Sequence, residues 1–110
     1  MANTFSRKLS RNLGTSLTAV GTYTVAASTK TIVVGLTLTN VGSATIYVDA
    51  TLNDGTNDYY IVKAAPVPVG GSLVAVGGDQ KIVMITNDSI KVKSDTASSL
   101  DAILSIMETT

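Results

Sequence analysis

The chain has 110 residues, of which 45% are hydrophobic and 15% are charged, and its formal net charge is zero. This length fits a single domain with one core, and the composition is too apolar for a disordered chain. The abundance of Thr, Val, Ser and Gly favours β-sheet over a helical bundle. Because little surface charge means weak repulsion between molecules, we expect an assembling protein rather than a free monomer.

The sequence contains no Cys, His or Trp. Without Cys, disulfides and thiolate metal sites are excluded, and without His the commonest general base and the usual Ser-His-Asp triad are missing. We therefore expect no enzymatic activity, no metal and no cofactor. No apolar run reaches the roughly 20 residues that span a bilayer, and the first residues lack the hydrophobic stretch of a signal peptide. We expect assembly in a cytoplasm, with no membrane partner.

The N-terminal segment is basic and does not alternate cleanly. Arg7, Lys8 and Arg11 all precede the first acidic residue, Asp49. A terminus of this kind is normally ordered only when a partner holds it. We expect an extended N-terminal arm over residues 1–13, followed by a single domain over residues 14–110, whose first strand lies around Thr22–Val25.

A regular alternation begins at Lys30 and continues to Asn40. It predicts a strand, because apolar residues two positions apart share one face of a sheet. The inward residues would be Ile32, Val34, Leu36 and Leu38. After the turn at Gly42-Ser43, a second alternation predicts Ile46, Val48, Ala50 and Leu52 inward, and we expect the two strands to form a hairpin.

Turn residues punctuate the remainder of the chain. Asn53-Asp54-Gly55 favours a tight reversal, after which a strand would run over Tyr59–Ala65 and end at Pro66 and Pro68. The final segment fits both a helical and a strand period, and we favour the strand. The expected short strands are Ser72–Val76, Gln80–Ile85, Ser89–Ser94 and Leu100–Met107. This spacing predicts an all-β, antiparallel β-sandwich of about eight strands, jelly-roll-like or immunoglobulin-like.

Several clusters could be mistaken for chemical sites. A group of oxygen-bearing side chains lacks the spacing of an EF-hand, and turn chemistry already explains it. It comprises Asp49, Asn53, Asp54, Asn57 and Asp58. The pairs Gly70-Gly71 and Gly77-Gly78 lack the Lys-Ser/Thr and the helix of a phosphate loop. No spacing pairs Lys63 or Lys81 with a particular Ser or Thr nucleophile.

Three tyrosines, Tyr47, Tyr59 and Tyr60, are candidates for stacking on bases or sugars. Asp54 and Asp58 lie close to them in the sequence and would repel phosphate, so we do not expect nucleic-acid binding. A carbohydrate-binding surface at these tyrosines stays open as an alternative.

Three segments carry a resemblance to a known group of proteins. They are TYTVAASTKTIVVGLTLTN from Thr22 to Asn40, YYIVKAAPVPVGGSLVAV from Tyr59 to Val76, and SIKVKSDTASSLDAILSIME from Ser89 to Glu108. This pattern resembles small bacteriophage virion structural proteins, known especially from cyanophages. The likeness covers roughly residues 20–108 and leaves the N-terminal segment outside it.

The resemblance implies a non-enzymatic virion protein assembled in the host cytoplasm. The leading expectation is a capsid decoration (cement) protein, favoured as a homotrimer, that bridges subunits of the major capsid protein or another virion protein. A tail, neck or baseplate component is the alternative. For the partner contacts we select Phe5 and Leu9 as apolar anchors and the cations Arg7, Lys8 and Arg11 for orientation.

Overall fold

The computed structural model describes residues 3–77 and 80–110, and these residues are nearly all in β-strands and their connections. The strands are β1 (Asn3–Leu13), β2 (Thr18–Ala19), β3 (Lys30–Asn40), β4 (Ile46–Asn53), β5 (Asp58–Val67), β6 (Ser72–Val76), β7 (Ile82–Met84), β8 (Ser89–Ser94) and β9 (Leu100–Thr109). A short 3₁₀ turn follows β2 at Val20–Thr22. No helix of the described chain is long and apolar enough to cross a membrane.

The strands form two antiparallel sheets. The five-stranded sheet has the order β1-β9-β3-β6, with β7 also paired to β3, and the four-stranded sheet has the order β2-β8-β4-β5. Both β6 and β7 pair with the same edge of β3, so they count as one strand of the pattern. The first four strands then pair with the last four in reverse order: β1 with β9, β2 with β8, β3 with β6 and β7, and β4 with β5. This nested pairing is that of a jelly roll, so of the two expected kinds of sandwich the structure selects this one.

The core lies between the two sheets and is made of branched aliphatic side chains. Leu36 and Leu38 from β3 and Leu104 and Ile106 from β9 are buried against Ile90 of β8 and the other members of the same cluster. The C-terminal segment, which fits two periods, is therefore a strand, as expected. Its inward residues repeat every second position because successive side chains of a strand face opposite sides.

The expected hairpin between residues 30–40 and 46–52 is wrong, because β3 and β4 belong to different sheets. The chain crosses between the sheets after Asn40, whose side chain is buried. The Asn40 Nδ2 donates to the carbonyls of Ala44 (2.8 Å) and Val67 (2.9 Å), and its Oδ1 accepts from the Gly42 N–H (2.8 Å). These bonds satisfy backbone groups that a crossing segment leaves without sheet partners.

A bulge reverses the expected inward face in part of β3. The pairing with β9 shifts between Val33 and Gly35, so the buried residues are Val33 and then Leu36, and the expected inward Ile32 and Val34 are only partly buried. One inserted residue changes the face of every later side chain, which a strict alternation does not foresee. In β4 the pairing with β8 is unbroken and Leu52 packs against the core as expected, while Thr51 is buried as well.

Two further expectations near the strand ends need correction. Residues 23–26 form no strand, since the chain there runs from the 3₁₀ turn into an irregular segment. Pro66 does not end its strand, because it lies within β5 opposite Tyr47. The strand β5 is at the edge of its sheet, where a residue without an N–H is tolerated.

Candidate docking surface

The segment expected as a separate arm is β1, an edge strand of the five-stranded sheet. Its partners on β9 run from Asn3 opposite Thr109 to Leu13 opposite Leu100. The alternation missing from its sequence is explained by its surroundings, since the positions that face inward carry Ser6, Lys8 and Ser10 instead of apolar residues.

The residues selected for partner contacts divide between the two sides of β1. Phe5, Arg7, Leu9 and Arg11 are exposed on the outward side, where Phe5 is 75% and Leu9 50% accessible. Lys8 lies on the other side, with its Nζ 5.0 Å from the centre of the Tyr23 ring. The structure therefore brings four of the five side chains together and separates the fifth.

The outward side of the five-stranded sheet carries two rows of side chains that run across its strands. In the first row Phe5 lies opposite Met107, Met107 opposite Ile32, and Ile32 opposite Val83. In the second row Leu9 lies opposite Ile103, Ile103 opposite Thr37, and Thr37 opposite Val74. We call this surface the apolar face; its members are Phe5, Leu9, Ile32, Val74, Val83, Ile103 and Met107.

The far strands contribute the most exposed aliphatic side chains of the apolar face. Val74 on β6 is 63% accessible and Val83 on β7 is 61% accessible. From strand spacings, the two rows cover roughly 19 Å across the sheet and roughly 14 Å along the strands, or about 300 Å². This area includes Arg7 and Ser105 between the two rows, and it has the usual size of the largest exposed patch on a single chain, which often has a function.

Charged residues around the apolar face are mainly positive. Arg7 lies between the two rows, opposite Ser105, while Arg11 and Lys30 stand at its borders. The one carboxylate that we place on the same side, Asp101, accepts a hydrogen bond from the Asn12 N–H at 2.9 Å.

The inward side of β1 is fixed by a polar cluster. Tyr23 donates its hydroxyl proton to Glu108 Oε2 (2.9 Å), and the same hydroxyl is 2.7 Å from the buried Thr31 Oγ1. Burial is the main cause that raises the pKa of Tyr23 above its ordinary value, and Glu108 adds to the effect. With the Lys8 ammonium above its ring, Tyr23 connects β1, β3 and β9, so β1 is held by more than its ladder of hydrogen bonds.

The outward side of the four-stranded sheet is polar and internally paired. Lys93 Nζ lies 3.7 Å from Asp49 Oδ2, and Asp49 Oδ1 accepts the Ala64 N–H at 2.7 Å. Lys63 Nζ lies 4.8 Å from the centre of the Tyr60 ring. This sheet therefore presents charges that already have partners, in contrast to the apolar face.

The turn between β4 and β5 is the expected tight reversal, and hydrogen bonds hold it rigidly. Asp54 Oδ1 accepts the N–H groups of Asn57 (2.7 Å) and Thr56 (2.9 Å), which hold the pKa of Asp54 below its usual value. Asp58 Oδ1 accepts from Asn53 Nδ2 (2.9 Å) and Thr51 Oγ1 (3.1 Å). Of the residues considered for calcium, Asn53, Asp54, Asn57 and Asp58 are thus engaged in the turn, whereas Asp49 lies on β4 and is bonded to Lys93 and Ala64.

No arrangement of catalytic groups emerges from the described residues. A polar cleft of about 770 Å³ lies beside this turn, lined by hydroxyl and amide side chains that include Thr18, Thr24 and Asn87, with Asp54 and Lys91 at its wall. It contains no nucleophile paired with a base. Within residues 3–77 and 80–110 there is also no group of three or more His, Cys, Asp or Glu side chains that could hold a metal ion.

The fold as a whole matches known chains, although the sequence does not. No family model matches it, and no curated protein sequence is significantly similar. A chain from the acidic stable capsid structure of Helicobacter pylori bacteriophage KHP30 is similar, with a TM-score of 0.57 and 11% identity over 98% of this chain and 87% of that one. A chain of the virus-like particle of the Macrobrachium rosenbergii extra small virus has a TM-score of 0.50 and 8% identity over 97% and 77%. At these identities the comparisons establish the jelly-roll fold.

Sequence reasoning found the part of the apolar face that lies on β1 and missed the part on β6, β7 and β9. Phe5 and Leu9 stood out because they are apolar residues in a basic segment. Val74, Val83 and Ile103 were not distinguishable from core residues, since the bulges and the sheet order decide which side they occupy. Long-range pairing signals that join β1 to β9 and join β3 to β6, β7 and β9 would have found them.

Proposed function

We propose that the chain is a non-enzymatic structural subunit of a virus particle, and specifically a bacteriophage capsid decoration (cement) protein. The observation that carries this proposal is the exposed apolar face, which has no counterpart on the polar outer side of the four-stranded sheet. The fold supports it, since similar jelly rolls occur in the phage capsid and the virus-like particle named above. The resemblance of the sequence to small phage virion proteins supports it independently.

A decoration protein works by burying surface across the boundaries between subunits. A standard interface removes on the order of 1,600 Å² from water, and many modest contacts summed over a particle give a large combined effect. In this proposal Phe5 and Leu9 are apolar anchors, Arg7 and Arg11 orient the neighbouring subunit, and Lys8 supports β1 through Tyr23. The neighbours are the major capsid protein or another virion protein, and the chain itself forms a homo-oligomer, favoured as a trimer. Assembly takes place in the host cytoplasm.

Counting copies in purified virions tests this function. We would measure the ratio of this chain to the major shell protein by quantitative mass spectrometry in particles of the phage that encodes it. A ratio near a simple fraction of the shell subunits is the expected result. A ratio far below that points to a tail, neck or baseplate component, and absence from the particle overturns a virion role.

A matched pair of variants tests the contact residues. Phe5→Ser with Leu9→Ser removes both anchors without removing a strand, and Val69→Ser changes a 55% accessible residue in the β5–β6 turn, outside the face. We expect shells that lack the chain to bind the wild type and Val69→Ser equally and to bind the double variant weakly. Equal binding of all three would show that these residues do not dock the chain.

A further inference from the structure

We propose that the apolar face receives a second copy of this chain, and that the docking element is the tip of the β4–β5 hairpin. The hairpin tip comprises residues 53–60 and presents Tyr59 and Tyr60, which are 54% and 51% accessible, together with the exposed Asp54 and Asp58. This inference rests on the proposed function for the use of the face in assembly, and it assigns the β6 and β7 part of the face to a second copy, beside the β1 residues that contact the shell.

The two surfaces are complementary in charge and in composition. Among residues 3–77 and 80–110, the apolar face carries Arg7, Arg11 and Lys30 together with the carboxylate of Asp101. The hairpin tip carries two carboxylates and no cation within residues 53–60. Tyrosines are favoured at interfaces because they combine a large apolar ring with a polar end, and exposed valines and Leu9 provide a surface on which such rings can pack.

The hairpin tip is ordered before it binds. In addition to the bonds to Asp54 and Asp58, Asn53 Oδ1 accepts the Gly55 N–H at 2.8 Å, and the Asp54 N–H donates to the Asn57 carbonyl at 3.1 Å. The Tyr59 hydroxyl donates to Asp54 Oδ2 at 3.3 Å. A rigid loop loses little conformational entropy on association, so more of its contact energy is available for binding.

Contact between two apolar faces is disfavoured by their own charges. In a two-fold pairing the same patch meets itself, so the arginines and Lys30 of one copy would face those of the other. Like charges brought together at an interface cost free energy, which a face-to-tip contact avoids. The contact is therefore heterologous, and a heterologous contact whose rotation closes forms a ring.

The size of the face also favours a ring over an isolated dimer. Its area of about 300 Å² is well below the roughly 800 Å² that each partner contributes to a standard interface. In a closed ring every copy uses both its face and its tip, so breaking one contact does not release a subunit.

Two complementary variants and their mixture test this arrangement. The face variant combines Val74→Asp with Val83→Asp, two exposed positions far from the β1 residues of the proposed function. The tip variant combines Tyr59→Ser with Tyr60→Ser. The matched control is Val69→Asp, because Val69 is similarly exposed but lies in the β5–β6 turn. Circular dichroism and thermal unfolding establish that all variants remain folded, and sedimentation equilibrium gives the molar mass of each.

We expect the wild type and Val69→Asp to sediment as oligomers and each double variant alone as the 11.3 kDa chain. A mixture of the two variants retains one intact contact per pair but cannot close a ring, so we expect it to associate far more weakly than the wild type. A monomeric wild type, an oligomer that survives in both variants, or a mixture that associates as strongly as the wild type would each overturn the proposal. The sedimentation experiment uses the purified chain alone. A negative result would therefore overturn the self-association only, and the copy number in virions would still test the proposed function separately.

Discussion

At the scale of single residues, Gly21 shows how closely the 3₁₀ turn presses on β1. Its φ is +62°, and a Cβ at this position would lie 2.8 Å from Lys8 Cβ and 3.2 Å from the Leu9 nitrogen. Its N–H also donates to Ser10 Oγ at 2.8 Å. The turn thus covers the middle of the β1 edge, and only glycine allows this approach.

We expect Gly21→Ala to lower the free energy of unfolding by roughly 2–3 kcal/mol, from the left-handed backbone and the contact with Lys8 together. The control is Gly70→Ala, where φ is +72° but nothing lies within 4 Å of the added Cβ. That variant should lose only about 1–2 kcal/mol, from the backbone conformation alone. Urea unfolding of both variants gives the comparison, and equal losses would contradict the close packing of the turn on β1.

Tyr23 makes the stability of the fold sensitive to alkaline pH. Its folded-state pKa is raised above 10.0, so the folded chain holds this proton more tightly than the unfolded chain does. The resulting stabilisation is complete below pH 10.0 and is lost as the pH rises through the folded-state value. Tyr23→Phe removes this titration and also leaves Thr31 and Glu108 without the hydroxyl, at a cost of about 1–2 kcal/mol at neutral pH.

Thermal unfolding from neutral to alkaline pH tests this dependence. We expect Tyr23→Phe to be less stable than the wild type at pH 7 but to lose less stability above about pH 10. Tyr47→Phe is the control, because Tyr47 is half-exposed on the other sheet and its replacement leaves the Tyr23 cluster intact. Parallel curves for the wild type and Tyr23→Phe would rule out Tyr23 as the source of the alkaline loss.

At the scale of elements, the strand β1 pairs with β9 along its length, and we expect it to be an integral part of the folded domain. It covers one side of β9, buries Leu13, and is bonded at its start by Thr109 Oγ1 to Asn3 Oδ1 at 2.8 Å. Deleting residues 1–13 should therefore destabilise the whole domain, by about 2 kcal/mol from the lost burial of Leu13 alone. It would also expose β9 as a long edge on which chains aggregate.

Thermal unfolding and light scattering of the truncated chain check this expectation. The control is Arg7→Ser, which changes an outward side chain of β1 and should leave the unfolding temperature close to that of the wild type. A truncated chain that is soluble and as stable as the wild type would show that β1 is an independent arm after all. Because of this coupling, point variants on the apolar face are better probes of docking than truncation.

Element by element, the sequence predicted strands well where one side chain in two is apolar and buried. The strands β3, β4, β6, β8 and β9 follow this pattern at nearly the expected positions. It failed for β1, whose inward residues pack under Tyr23 and the 3₁₀ turn instead of the aliphatic core. It also failed at the bulge after Val33, since a bulge depends on how the partner strand is aligned.

At the scale of the whole molecule, the partition of the strands into sheets was beyond local reasoning. Consecutive strands usually pair, which favoured a hairpin between β3 and β4, whereas the jelly roll places them in opposite sheets. The buried Asn40 fixes that crossing, and a single Asn in a turn-like sequence carries no local sign of such a role. The apolar face follows from this topology, because it joins β1 and β9 from the two ends of the chain to β3 and to β6 and β7.

The same topology places the start of β1 beside the end of β9, since Asn3 lies opposite Thr109. A circular permutant with a short Gly/Ser linker between the original ends should therefore fold, provided that the new ends lie in an exposed turn. Opening the chain between Val69 and Gly70 meets this condition, because a Cβ at Gly70 would touch nothing within 4 Å. We expect this permutant to unfold within a few degrees of the wild type.

Opening the chain between Gly42 and Ser43 gives the opposite expectation and serves as the control. It separates Asn40 from Ala44 along the chain, so the side-chain bond to the Ala44 carbonyl must form across a break, while the bond from the Gly42 N–H stays local. A buried amide that loses such partners costs about 1–3 kcal/mol, and this permutant should unfold at a clearly lower temperature than the first. If both permutants were equally stable, the crossing at Asn40 would be a passive connection, and the division of β3 and β4 between two sheets would have to be set by the core alone.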